Sequence, residues 1–350
     1  MKKKKVLMVV LLIIASLFFA SSGFSQTPIR WRGQNAYPTP PDIGPFPKSM
    51  AGTGNAPYVF ANWLNRETKG QFQLNMAQPG AIVPVAQMFT SISKGVLDFG
   101  GLYYGAYHSG IMPETDIEIG LPFAWETLSE AWDGLHNRKL IDEFRKIYAE
   151  HNIYWIPVIC NSNYGFGTRF PIPNPEALKG KKIRAGGIYG DLVKKLGASP
   201  VLMPPGEVYM GLKLGTIDGT ILSLDHVESA KLKEVWTNYL ISPNLNTIVG
   251  SFLINMDSFK KLPDNIKSMI ENQTDLVLLE NSLNNYVFEL YLANKASKEH
   301  PFKLVYWSDA DANKVKKVGY SLWESIAAKS PRCAKLVNIV RDQMKDLGKM

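Results

Sequence analysis

Ala177-Leu-Lys-Gly-Lys-Lys-Ile-Arg-Ala-Gly-Gly187 is the stretch around which the chain is organised. It reads as a polar turn, a short strand Lys182-Ile183-Arg184-Ala185, and a glycine-rich exit. Arg184 stands where that strand ends, beside glycines that let backbone come close. A guanidinium offers a flat fork of donors that matches two carboxylate oxygens. An arginine so placed also serves in a surface salt bridge. The stretch alone leaves both readings open.

Working outward, strands and helices alternate. Phe72 to Met76 alternates as a strand, Pro84 to Lys94 reads as a helix, and Val96 to Phe99 as a strand. Thr127 and Glu130 have the spacing of a capping box, which predicts one helix to about Glu150. Ile153 to Cys160 is an apolar strand, and Asp191 to Leu196 a helix that Gly197 closes. Val201 to Met203 and Thr216 to Leu222 read as strands around a helix from Glu207. A long helix is expected from Asp264 to about Ser297. The class is therefore α/β. Ser91-Ile-Ser-Lys-Gly-Val-Leu-Asp98 and Gly211-Leu-Lys-Leu-Gly-Thr-Ile-Asp218 repeat one pattern: a helix end, a stop glycine, apolar residues, then Asp. Two α/β lobes of related topology would show this, and a cleft between two lobes is a common seat for a small ligand.

Met1 to about Gln26 has a basic start, an apolar run from Val6 to Ala20 and small residues after it, the pattern of a cleaved secretory signal peptide. The mature chain is therefore expected to be exported. Four of the lysines behind the formal +8 charge lie in this segment, so the remaining balance is too mild to argue for nucleic acid. Cys160 and Cys333 are the two cysteines, and spacing does not decide whether they pair. The histidines form no His-x-x-x-His pair, and no nucleophile elbow or phosphate loop occurs. No metal, cofactor or enzymatic chemistry is therefore expected. Recognition groups do cluster near strand ends: Tyr103, Tyr104 and Tyr107, then Asn161, Asn163 and Tyr164, then Arg169, then Ser223, Asp225 and His226.

The chain resembles the extracytoplasmic solute-binding proteins of tripartite ATP-independent periplasmic (TRAP) transporters, of the DctP type. The carriers are Phe60-Ala-Asn-Trp63, Lys94-Gly-Val-Leu-Asp-Phe99, Gly120-Leu-Pro-Phe123, Leu178-Lys-Gly-Lys-Lys-Ile-Arg184 and Glu207 to Gly219. The resemblance implies a periplasmic-binding-protein-like fold in which two α/β lobes close over a small organic acid and long helices cross between them. Residues 27–158 with about 243–284 would form the first lobe, and 159–242 with about 285–350 the second lobe and the C-terminal helices. It implies that Arg184 pairs with the ligand carboxylate, that Arg169 assists, and that Tyr103 and Tyr104 line the cleft. Asn163 to Arg169 and the tail from Trp323 to Pro331 look nearest the branch that binds 2-oxo acids and related monocarboxylates, some of whose members dimerise. Asn163 falls where that branch has a Gln touching ligand and metal. Where the branch has Glu-Trp, this chain has Ile221 and Leu222, so the carboxylate that would hold a cation is missing. An apolar pair there, beside Ser223 and Asp225, suggests a ligand with an apolar or aromatic body. The implied partners are the membrane subunits of a TRAP transporter, with a homodimer as a further possibility. A periplasmic sensor module would use the same residues, and an exported hydrolase is the rival from another class.

Overall fold

The structure is a computed structural model and describes residues 27–38, 53–161, 164–299 and 302–350. The expected signal peptide and Asn163 lie outside the described residues. The strands are β1 (Ile29–Asn35), β2 (Phe72–Ala77), β3 (Phe99–Tyr103), β4 (Ile153–Asn161), β5 (Tyr164–Thr168), β6 (Lys182–Arg184), β7 (Ser199–Val201), β8 (Gly219–Ser223), β9 (Asn238–Ser242), β10 (Ile248–Asn255) and β11 (Lys303–Tyr306). The helices are α1 (Ala56–Glu67), α2 (Met88–Ser93), α3 (Thr115–Glu118), α4 (Leu128–Trp132), α5 (Leu140–Ala149), α6 (Gly187–Lys195), α7 (Val208–Leu214), α8 (His226–Ser229), α9 (Met256–Lys260), α10 (Asp264–Glu299), α11 (Asp309–Ala327) and α12 (Pro331–Asp346).

Two sheets result, one per lobe. The first has the order β2-β1-β3-β10-β4, the second β11-β9-β5-β8-β6-β7. β1 runs parallel to β2 and β3, while β10 returns antiparallel between β3 and β4. In the second sheet β6 is parallel to β7 and β8, and β5 is antiparallel to β8 and β9. The chain passes between the lobes after β4, again between β9 and β10, and a third time along α10. At about 1.5 Å per residue, the 36 residues of α10 reach about 54 Å, long enough to lie against both sheets.

The repeated pattern has one structural meaning in both lobes. Gly95 and Gly215 take left-handed φ values of 73° and 77°, which stops each helix without a Cβ clash. The Asp that follows then ties down the neighbouring strand. Asp98 Oδ2 accepts from the Arg32 amide and Asp218 Oδ2 from the Lys182 amide, both at 2.8 Å. These Asp residues are held by that task, so the strands begin after them, at Phe99 and Gly219, later than the apolar pattern suggests. The same pairing, Asp at the start of β3 on β1 and Asp at the start of β8 on β6, makes the lobes topological relatives.

The predicted helix from Thr127 to Glu150 is two helices. A π turn at Asp133–Asn137 and a left-handed Lys139 (φ 62°) break it. The break lets Gly134 approach Trp125, whose ring a Cβ there would meet at 2.8 Å. Two large apolar clusters form the cores. Phe60, Phe99 and Phe252 pack with centroids 5.1–5.5 Å apart in the first lobe, each burial contributing about 1.5–3 kcal/mol. Val208, Leu222, Trp236, Tyr239, Phe288 and Leu292 form the second cluster under α10. The tail is shared between lobes. α11 packs along α6, and α12 packs on α3 and α5 of the first lobe, where Gln343 Oε1 accepts from Trp125 Nε1 at 2.8 Å. α12 therefore packs with the first lobe, while α11 packs on the second. Among the described residues no helix is long and apolar enough to cross a membrane.

Candidate functional site

β6 is three residues long because Gly180 ends the turn before it and two glycines follow Ala185. Its last residue, Arg184, points out of the carboxyl end of the second sheet toward the first lobe. Only 6% of it is exposed. Nε donates to the Met203 carbonyl at 3.1 Å and Nη2 to Tyr107 Oη at 3.2 Å. The phenols of Tyr37 and Tyr164 lie beside the guanidinium and interact with it electrostatically. Tyr37, Tyr104, Tyr107 and Tyr164, with Ile119 and Leu202, line a small cavity around Arg184. Gly186 and Gly187 admit Ala106 of the first lobe, whose Cβ would lie 3.2 Å from a Cβ added at Gly186.

Charge decides what this arrangement can do. Burial raises the pKa of all four tyrosines, Tyr164 to about 12, against the lowering effect of Arg184 on Tyr37, Tyr107 and Tyr164. They are neutral at physiological pH and offer O–H groups. Burial disfavours the Arg184 charge, but its pKa lies above the usual arginine value and a guanidinium keeps its proton at physiological pH, so it stays charged. Among the described residues no carboxylate pairs with it. A buried cation satisfied by neutral groups alone is costly, and an anion that enters its site relieves that cost. The cavity measures about 20 Å³. A single water needs roughly 10–15 Å³, so an organic acid enters only when the lobes part. A larger cavity of about 420 Å³ lies between α10 and the Glu126–Ser129 loop. Its lining includes Glu126 and Glu289 but no Lys or Arg, which suits an anion poorly.

The predicted residues divide. Arg184 and Tyr104 face each other across the cleft, and Tyr107 and Tyr164 join them. Tyr103 does not. It lies at the end of β3 with its side chain turned into the first lobe, its hydroxyl on the Ala86 carbonyl and its ring stacked on Tyr107 and His108. Arg169 is also apart from this cavity. It follows Thr168, which pairs with Gly219 at the start of β8, and its exposed side chain turns toward Gly215 and does not line the cavity. Leu222 and its neighbour Ile221 lie away from the cavity as well. Alternation along β8 sends Ile221 into one core cluster and Leu222 into the other, and neither lines the cavity. Ser223 and Asp225 lie one layer behind. Ser223 Oγ bonds the Asp225 carboxylate, and both meet His226 Nδ1 at 3.0 Å. The His226 ring packs edge-on against Tyr37 at 5.7 Å. Tyr37 is the residue that sequence reasoning missed. It follows the carboxyl end of β1, so the strand-end rule that picked out Tyr104 applies to it equally.

Cys160 and Cys333 are both free and buried. Among the described residues no group of three or more His, Cys, Asp or Glu could hold a metal ion.

The DctP family of bacterial extracellular solute-binding proteins, family 7, matches residues 48–330. The chain belongs to this family. The DctP-family protein is 24% identical over 317 residues to a monocarboxylate 2-oxoacid-binding periplasmic protein of Nostoc, covering 86% of this chain and 80% of that one. It is 30% identical over 162 residues to the ectoine-binding periplasmic protein TeaA of Halomonas elongata, covering 44% and 45%. Its fold matches a TRAP transporter solute-binding protein of Bordetella bronchiseptica, solved with calcium and picolinate, with a TM-score of 0.78 at 21% identity over 92% of this chain and 94% of that one. It also matches one of Pseudoalteromonas atlantica, solved with sodium and pyruvate, with a TM-score of 0.75 at 19% identity over 91% and 95%. This DctP-family protein is thus a two-lobed α/β solute-binding protein, and the family's role is binding solutes.

Proposed function

We propose that this protein captures a small organic acid by one carboxylate in the periplasm, after loss of residues 1–26, and delivers it to the membrane subunits of a TRAP transporter. The observation that carries this reading is Arg184: a buried guanidinium, ringed by neutral tyrosines, with no carboxylate partner among the described residues. With Arg184 the single cation lining the cavity among the described residues, a monocarboxylate fits better than a dicarboxylate. The tyrosine rings, in place of the Ile221–Leu222 pair, favour a flat or apolar body on that acid. Relatives that bind 2-oxo acids, pyruvate and picolinate support this class. Two neighbours were solved with a metal as well as the acid. The residues here do not fit such an ion, since Ile221 and Leu222 are apolar and buried in the cores, and we assign capture to Arg184 and the tyrosines alone. For the homodimer, we assign the exposed apolar face of α10, formed by Leu276, Leu283, Val287 and Leu290.

The test is a thermal-shift screen of pyruvate, longer 2-oxo acids, picolinate and malonate, followed by calorimetry on any acid that stabilises the fold. Arg184→Ala should weaken binding by about 30-fold to several thousand-fold, the cost of about 2–5 kcal/mol for a buried charged partner. Unchanged affinity in a folded Arg184→Ala protein rejects the anchor.

A further inference from the structure

Three residues after Arg184 the same stretch meets the first lobe again, through a contact that touches no cavity wall. Asp116 on α3 is 3% exposed. Its Oδ1 accepts from the Ile188 amide at 2.9 Å, and its Oδ2 pairs with Lys329 Nζ at 2.9 Å. Ile188 lies in the first turn of α6, where amides lack intrahelical acceptors and the helix dipole is positive. The carboxylate that caps this helix thus comes from the other lobe. Lys329 lies in the turn between α11, which packs on α6, and α12, which packs on α3. One side chain therefore joins a helix of each lobe to the tail that spans both. Gly187 is shaped to it. Its φ is +53°, and a Cβ there would come 2.5 Å from Asp116 Oδ1. One residue further, Tyr189 Oη donates to the Gly120 carbonyl at 2.9 Å, so α6 begins bonded to both ends of the Asp116–Gly120 segment.

We propose that Asp116 is a latch: its carboxylate holds the start of α6 against the first lobe, and it sets the balance between closed and open forms and thereby the capture of ligand. It is a positioning residue. It acts through the placement of α6, and α6 follows Arg184 directly. The small cavity around Arg184 requires the lobes to part, and parting carries the Ile188 amide away from Asp116. Each opening then breaks a charge-assisted hydrogen bond. Asp191, further along α6, is the like charge facing this group, and Lys329 is the opposite one.

The test needs no ligand, so its outcome is separate from that of the binding screen. Both native cysteines are buried. Arg66→Cys and Leu214→Cys therefore place one spin label on each lobe, at exposed helix positions. The distance distribution between them is read by pulsed electron paramagnetic resonance with Asp116 intact, and with Asp116→Ala, Asp116→Asn or Gly187→Ala. Losing a charge-assisted bond should lower the closed-to-open ratio by about 10- to 100-fold in Asp116→Ala. Asp116→Asn, which keeps an acceptor without the charge, should fall between. Gly187→Ala should open the lobes although Asp116 is still present, and amide exchange at Ile188 should accelerate in all three. An unchanged distance distribution in folded Asp116→Ala and Gly187→Ala overturns the proposal. So does a lowered melting temperature with no change in distances, which would make Asp116 a structural ion pair only.

Discussion

Glu118→Gln is expected to stabilise the protein above neutral pH and to do little at pH 4.5. Glu118 is 1% exposed. Its carboxylate accepts from Tyr148 on α5, from Trp155 on β4 at 3.1 Å and from Ser251 on β10. All three donors are neutral, and no cation pairs with it among the described residues. Burial raises its pKa from 4.5 to about 7, against the lowering effect of those hydrogen bonds. The sign follows from proton counting. The folded protein holds this proton more tightly than the unfolded chain, so between pH 4.5 and 7 it binds the extra proton. Stability therefore falls as pH rises through that window. The full shift corresponds to about 3 kcal/mol. Gln keeps an acceptor for Ser251 and Trp155. Its amide donates to Tyr148, whose own proton can turn to His108 Nε2, 3.0 Å away. Burial keeps His108 neutral here, with a pKa lowered to about 3, so it does not titrate in the same window. Urea unfolding followed by tryptophan fluorescence at pH 5, 6, 7 and 8 gives the difference between variant and parent. That difference should grow with pH toward about 3 kcal/mol, several degrees in melting temperature. An offset that is constant with pH, or that shrinks as pH rises, refutes the reasoning.

Alkylation in denaturant without reductant should modify both Cys160 and Cys333, because the two thiols are free in separate parts of the fold; a peptide linked through both would contradict this. If α10 supplies the homodimer face, Leu283→Glu with Leu290→Glu should give a monomer in sedimentation while the melting temperature changes little, since both side chains are half-exposed. A parent protein that is already monomeric at micromolar concentration rejects that assignment.

Much of the fold was legible because its signals are local. Stop glycines, apolar alternation and the Asp of the repeated pattern each act over a few residues, and they placed most strands and helices to within a few positions. The misplaced starts of β3 and β8 show the limit. Val96 and Ile217 look like strand residues, but Asp98 and Asp218 hold the segment through hydrogen bonds to strands 66 and 36 residues away. The broken helix at Asp133 has the same origin, since what favours the break is Trp125 and the docked α12.

Arg184 was determined by sequence alone: a short strand, a glycine exit and a family motif put a guanidinium at a strand end. Its surroundings were not. Tyr37, Tyr104, Tyr107 and Tyr164 come from different segments, and Tyr107 reaches Arg184 across 77 residues. Asp116 reaches Ile188 across 72 residues and Lys329 across 213. Leu222 looked like a site residue in one dimension, but strand alternation turns it into the core, and Arg169 is exposed and off the cavity wall. Local chemistry fixes where a strand ends, whereas which side chains share its end depends on how the two lobes meet.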